Sequence, residues 1–458
     1  MNPKAMAIVA VAALVAAGAA AIVVFGDGDG KRTADPGDNL DGRLTVFGNA
    51  NGDDYIDQED VECVKRIIAG EREPAYFDCH RTYGGATVQR SFADANCDGK
   101  IDRADVAWIQ DMVDRKPDML IHFYDVDGVI SSCTYPLKTY AVGYKSNYEA
   151  ELILGNENNC MYVCNQVGQD GPYSTWYRMF LGSDSYVGCF GSRFTPDYEV
   201  FSKNAPSYML SGTRAWFDEN MEETVAALGM DVVRLPFWED NWAIPAIITL
   251  GYLTQRESEA YRYAETADSV YGAISGALAG TPVSERVFVY ASYNATSISA
   301  KHNGMNELVT LAGGRNPLDA GYSPGKIDAE TLALTMNPDW IVLDQYFGFL
   351  ERYEGFDPCK KAIVDQLSNT DMKYVQAIRM TDAYKSGRVI FLQQGVYMGP
   401  ASYVAAAYIA NHINPGLFSF DVDGLFGDYI TRYHPDYSSA DFLGLEYFDL
   451  ARYEEYAS

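Results

Sequence analysis

Oxygen-bearing side chains recur at fixed spacing in two short stretches near the front of this 458-residue chain. Asn49, Asn51, Asp53, Asp57 and Asp60 stand at positions 1, 3, 5, 9 and 12 of one loop. Asp94, Asn96, Asp98, Asp102 and Asp105 hold the same positions of a second. A hard cation such as Ca²⁺ takes six to eight oxygens, and a tight loop turning alternate side chains inward supplies them. Position 7 falls on Tyr55 and Lys100; each would give a backbone carbonyl, which leaves its side chain free to vary. Two loops in one phase point to two calcium ions.

A helix must follow each loop to hold it. Val61, Val64, Ile67 and Ile68 after the first, and Val106, Ile109 and Val113 after the second, recur at helical spacing on one apolar face. No comparable helix precedes either loop, and position 12 is Asp where an EF-hand has Glu. This duplicated loop-then-helix unit resembles the dockerin module over roughly Leu44 to Lys116, which implies two calcium ions and a cohesin partner. Positions 10 and 11 depart from the family's frequent small hydroxyl residues, with Gln58-Glu59 and Arg103-Ala104. The stretch Gly70 to Arg90 between the repeats is also long for that family.

The charge balance is 35 basic against 63 acidic residues, a net of -28, which excludes a nucleic-acid partner. Eight cysteines permit disulfides outside the cell, but no spacing makes a zinc site. Met6 to Phe25 is an unbroken apolar run after Lys4. It is long enough for a bilayer and longer than a usual signal-peptide core, so it reads as a membrane anchor with the bulk of the chain extracellular. The Gly- and Asp-rich segment 26–43 reads as a flexible linker.

Beyond residue 118 strands alternate with helices, the pattern of α/β layering. Strands are expected at Thr139–Val142, Cys160–Cys164, Ser207–Leu210, Val232–Leu235, Arg286–Tyr290, Trp340–Leu343 and Val389–Leu392. One long helix, about Thr254 to Leu278, divides the two halves. The expected partition is an N-terminal membrane segment (1–25), linker (26–43), small all-α calcium-loop domain (44–117), first lobe (118–253), spine helix (254–280), and second lobe with C-terminal extension (281–458).

Tyr135-Pro to Gly155, with Asn147, Tyr148 and Glu149, resembles the first strand, loop and helix of substrate-binding proteins for iron-siderophore, haem and cobalamin ABC importers. Asn306-Glu307 to Asn316 is similar to that family's second-lobe helix and Gly-Gly turn. Pro196 to Glu199, Ile327 to Glu330 and Asn337 to Leu343 follow in the family's order. The resemblance, from Pro136 onward, implies a two-lobed periplasmic-binding-protein-like fold with a single spine helix. It also implies a metal-chelate small-molecule ligand and an ABC-transporter permease as partner.

Ligands of open α/β sheets sit outside the carboxyl ends of the strands. That places Tyr144, Asn147, Tyr148, Trp176, Tyr177, Trp216 and Trp238 in the first lobe as cleft candidates. Tyr293, Asn294, His302, Tyr346, Phe347, Arg379 and Tyr397 are those of the second. Arg379, like Arg178, could hold an anionic group through its planar fork. His302 has no His or Cys spaced to join it in a metal site. The resemblance implies permease docking through Glu199 and Glu307, with Thr310 where the family often carries an acid. No nucleophile elbow, phosphate loop or zinc-protease helix is present in the sequence, so no enzyme is expected. The alternative is a dockerin-bearing surface protein that binds or degrades carbohydrate in a cohesin-organised assembly.

Overall fold

The computed structural model describes residues 43–76, 90–165, 167, 188–239, 242–292, 297–299, 304–344, 371, 373–434 and 447–451. The small N-terminal module carries helices α1 (Gln58–Ile68) and α2 (Arg103–Val113). Asp57 and Asp102 cap them, each with a reciprocal bond from its own backbone N–H to the carboxylate three residues on. Val61, Val64 and Ile109 meet in the small core between the two helices, with Ala50, Ala93 and Ala95 from the loops.

A hairpin, β1 (Met119–Tyr124) and β2 (Ile130–Tyr135), follows. The first-lobe sheet then builds from β3 (Tyr140–Val142), β4 (Cys160–Val163) and β5 (Gly188–Cys189). Helix α3 (Lys145–Ile153) lies between β3 and β4. A minute hairpin, β6 (Gly191–Ser192) and β7 (Thr195–Pro196), leads toward β8 (Tyr208–Ser211), α4 (Met221–Ala226) and β9 (Asp231–Arg234). The lobe sheet runs in the order β5-β4-β3-β8-β9, and all four pairings are parallel.

Helices α5 (Ala243–Thr254) and α6 (Glu257–Ala277) turn sharply at Gln255, which is left-handed at φ 59°. Gly251 is required where they meet, because a Cβ there would stand 2.6 Å from Ala260 Cβ. The 21-residue α6 is the expected spine. Ala260, Tyr263, Ala264, Ala267, Val270 and Ile274 form its buried stripe, and Glu257 and Glu259 suit its positive end.

Beyond the spine lie β10 (Val289–Ser292), β11 (Ser297–Ile298), α7 (Gly304–Leu311), β12 (Gly325–Lys326) and β13 (Trp340–Asp344). Then come α8 (Lys373–Met380), α9 (Asp382–Lys385), β14 (Val389–Leu392), α10 (Gln394–Tyr397), α11 (Ser402–Ile413), α12 (Val422–Tyr433) and β15 (Tyr447–Asp449). The second sheet is ordered β10-β13-β14-β15, with β15 antiparallel at its edge. Tyr263 on the spine donates to the Pro400 carbonyl at 2.9 Å, and Tyr271 meets Ser402 Oγ at 3.0 Å. One apolar core therefore runs from the first sheet through the spine into α11 and α12. Among the described residues no helix is long and apolar enough to cross a membrane; the run Met6 to Phe25 lies outside them.

Candidate functional site

Both oxygen-rich loops fold alike. In the first, Asn51 N–H donates to Asp60 Oδ1 at 3.0 Å and Asp57 N–H to Asp60 Oδ2 at 2.8 Å. In the second, Asn96 N–H donates to Asp105 Oδ1 at 3.3 Å and Asp102 N–H to Asp105 Oδ2 at 2.8 Å. Asp53 N–H to Asn51 Oδ1 and Asp98 N–H to Asn96 Oδ1 are both 2.9 Å. Tyr55 N–H bonds Asp53 Oδ1 and Lys100 N–H bonds Asp98 Oδ1 in the same way. The sequence repeat is thus a repeat in backbone path.

Whether calcium suits these loops is decided by their oxygens. Asn49 Oδ1 and Asp94 Oδ1, the position-1 oxygens, are buried without a hydrogen-bond partner. Burial pushes the Asp60 carboxyl well above the ordinary range, and the charges of Asp53 and Asp57 add to it. Burial likewise raises Asp53, Asp94 and Asp105. Carboxylates gathered at such cost, beside an orphaned oxygen, fit a divalent cation. Among the described residues, His, Cys, Asp and Glu alone make no metal-holding group of three. The loops also need the Asn side chains and a carbonyl, as calcium loops do. Asn49, Asn51, Asp53, Asp57 and Asp60 with the Tyr55 carbonyl would hold one ion. Asp94, Asn96, Asp98, Asp102 and Asp105 with the Lys100 carbonyl would hold the other.

The module is seated on the body. Arg43 bridges Asp54 at 2.8 Å and Asp268 on the spine at 2.5 Å. Tyr55 packs against Tyr261 of the spine with ring centroids 4.8 Å apart, and the Tyr261 hydroxyl donates to the Asp54 carbonyl. Thr45 meets Thr249 on α5 at 3.0 Å, and Arg115 pairs with Glu257 at 2.8 Å.

The second constellation forms where the first-lobe strands end. Tyr144, after β3, stands edge-on to Trp238, after β9, at 5.9 Å. Trp216, after β8, lies 5.4 Å from Trp238. Two glycines let these rings lie against the backbone. A Cβ on Gly212 would stand 2.6 Å from Trp238, and one on Gly143 would stand 2.8 Å from Phe217. Trp238 is 3% exposed and Trp216 37%, so the pair runs from interior to surface.

Asn147 and Tyr148 lie buried in the first turn of α3, and neither Asn147 amide atom has a hydrogen-bond partner. The same helix carries contacts to the second lobe. Lys145 Nζ donates to Gln394 Oε1 at 2.8 Å, Ser146 Oγ to the Met398 carbonyl at 3.1 Å, and Tyr429 OH to Glu149 Oε1 at 2.5 Å. Burial raises Glu149 to about 7, against the Tyr429 bond and Lys145. Burial raises Glu151 to about 7 as well, against bonds from Tyr208 and Asn156. Tyr397 is fully buried in α10, on the second-lobe segment that faces α3.

Arg379 does not join this group. It is exposed in the last turn of α8, 5.6 Å over the Tyr384 ring. Helix α8 ends before β14 begins, so Arg379 stands at the amino end of the sheet, away from the carboxyl edge. Trp176, Tyr177, Arg178, Tyr293, Asn294, His302, Tyr346 and Phe347 lie outside the described residues. Glu199 is exposed on the short helix Tyr198–Lys203, whereas Glu307 is half-buried on α7.

Sequence reasoning missed the charged belt beside the aromatic group. Arg214 holds Asp125 at 2.8 Å, Asp127 at 3.0 Å and Glu222 at 3.2 Å. Arg234, 1% exposed, bonds Glu222 at 2.8 Å. Burial works against charge on Glu222, but the bond and charge of Arg234 prevail and hold it below its ordinary value. Arg193 was missed too, although Gly191-Ser192 before it and Thr195-Pro196 after it mark a turn.

Residues 172–395 match the periplasmic binding protein family, and residues 48–114 match the dockerin type I domain. No curated protein matches. Among solved structures the body is similar to a TroA-like periplasmic binding protein, FepB, from Veillonella parvula. The identity is 14%, the TM-score 0.55, and the match covers 72% of this chain and 99% of that one. The molybdate-bound periplasmic binding protein MolA of Haemophilus influenzae gives 14%, a TM-score of 0.54, and coverage of 69% and 98%. Helicobacter pylori CeuE with Ni(II) bound gives 14%, 0.51, and 70% and 97%. At such identity these likenesses establish the fold: a periplasmic-binding-protein-like α/β body behind a dockerin-like module.

Proposed function

We propose that the protein is an exported solute-binding protein that captures a metal chelate, of the ferric-siderophore, haem or cobalamin kind, for an ABC importer. The observation that carries this reading is the aromatic group Tyr144, Trp216 and Trp238 gathered at the carboxyl edge of the first-lobe sheet, in a two-lobed body joined by one spine helix. Rigid aromatic surface with a few fixed polar groups suits a planar or bulky solute. The contacts of α3 with Gln394, Met398 and Tyr429 limit the lobes to modest closure. Glu199 is an exposed acid available to a permease, and Glu307 would be its second-lobe counterpart. Two calcium ions would set the module, whose dockerin match supports a cohesin partner. The apolar run Met6 to Phe25 would anchor the chain in the membrane. Binding, not catalysis, is the proposed role.

The test is absorbance and thermal-shift titration of the full chain with cobalamin, hemin and ferric siderophores. Saturable binding of one class is expected. Binding or cleavage of a polysaccharide, with no chelate bound, would favour the carbohydrate alternative that the dockerin match keeps open.

A further inference from the structure

Arg193, Arg214 and Arg234 stand around the carboxyl edge of the first-lobe sheet, and among the described residues only two of them meet a carboxylate. Arg214 is held by Asp125, Asp127 and Glu222, and Arg234 by Glu222 and the Gly212 carbonyl. Arg193 is different. It occupies the tip between β6 and β7, and its guanidinium carbon lies 4.5 Å over Tyr144, 4.9 Å over Phe194 and 5.7 Å over Phe217. Its Nε and Nη1 are buried and donate no hydrogen bond. Stacked rings hold a guanidinium in place but cannot accept in-plane N–H bonds. In a chain of net charge -28, a carboxylate partner would be easy to supply. Burying donors without an acceptor is costly unless an acceptor arrives with a ligand.

We propose that Arg193 is the anion-recognising residue of the cleft, its ring-stacked fork taking a carboxylate, catecholate or inorganic oxyanion group of the solute. The proposal rests on the cleft reading above and adds the charge class of its occupant. Tyr144 serves twice, with one contact to Arg193 and another to Trp238. Anion and aromatic surface are thereby read side by side. Arg234 approaches the same Phe217 ring at 5.9 Å but is already committed to Glu222, so Arg193 carries the available charge.

The experiment titrates the calcium-loaded full chain, as wild type, Arg193→Gln and Arg193→Lys, with four probes. These are an anionic ferric tris-catecholate, hemin, molybdate and a cationic ferric trihydroxamate. At least one anionic probe should bind wild type and lose about tenfold or more affinity in Arg193→Gln. Arg193→Lys, which keeps charge but not the fork, should fall between. Calcium stoichiometry and thermal midpoint should stay at wild-type values in both variants. If every anionic chelate that binds wild type binds Arg193→Gln equally, the assignment is overturned and chelate capture stands, as it does if the trihydroxamate alone binds; molybdate bound equally by both, with no chelate bound, overturns both. Molybdate binding that is lost in Arg193→Gln, with no chelate bound, upholds Arg193 and overturns chelate capture. No binding by any probe overturns both.

Discussion

The oxygen-rich loops and the aromatic group would, on the proposed reading, solve the same problem, placing polar groups around a ligand, in opposite ways. Each loop draws its oxygens from twelve consecutive residues, and the backbone path is set by short-range bonds such as Asp57 N–H to Asp60 Oδ2. The cleft draws Tyr144, Arg193, Trp216 and Trp238 from four separate strand ends. It depends on distant elements such as Gly212 to let the rings meet. A site local in sequence can be read from sequence. One assembled across a sheet can be read only as a list of candidates.

The first way to break this comparison is to remove calcium. If both loops depend on the ion, chelation should lower stability by about 5–8 kcal/mol relative to calcium at 100–1,000 times its dissociation constant. Thermal unfolding with and without chelator would measure this, and calorimetry should count two ions. Loss of one ion in Asp53→Ala and of the other in Asp98→Ala would assign the sites. Next, Trp238→Ala should cost about 3–5 kcal/mol in urea unfolding, because the ring fills the space against Gly212. Calcium affinity unchanged in that variant would show the two regions to be energetically separate.

A smaller effect concerns the tie between the lobes. Glu149 is raised from 4.5 to about 7 in the folded chain, so the folded state binds the proton more tightly than the unfolded one. Its contribution is fully present below pH 4.5 and is lost as pH rises through 7. Glu149→Gln, neutral throughout, should be more stable than wild type at pH 8 by on the order of 1–3 kcal/mol, with the gap closing toward pH 5. A gap that does not change with pH would contradict this. The smallest effect tests whether the regions communicate. Tyr261→Phe removes the bond to the Asp54 carbonyl and should cost about 1 kcal/mol. It should weaken one calcium site and spare the other.

The expected parallel strands lie within a few residues of the observed ones, because strands buried on both faces read as continuous apolar runs. The hairpin was not legible: Ile130–Tyr135 mixes Ser, Cys and Thr and is half-buried for much of its length. Neither was α5, which is buried on nearly every side and so shows no stripe, and which carries Pro245 in its first turn. Arg379 looked like a cleft residue by its place between strands. Only the path of α8 shows that it lies at the other end of the sheet. Arg193 had the opposite fault, a short turn in a stretch with no periodic signal, whose value lies wholly in the rings it touches.

The bridge from Arg43 to Asp54 and Asp268 has a mechanical consequence. Arg43 clamps module and body together, so the proposed solute site would not swivel independently of the dockerin-like face. If the dockerin-like face docks as proposed, that clamp would set the heading of the proposed solute site along with it.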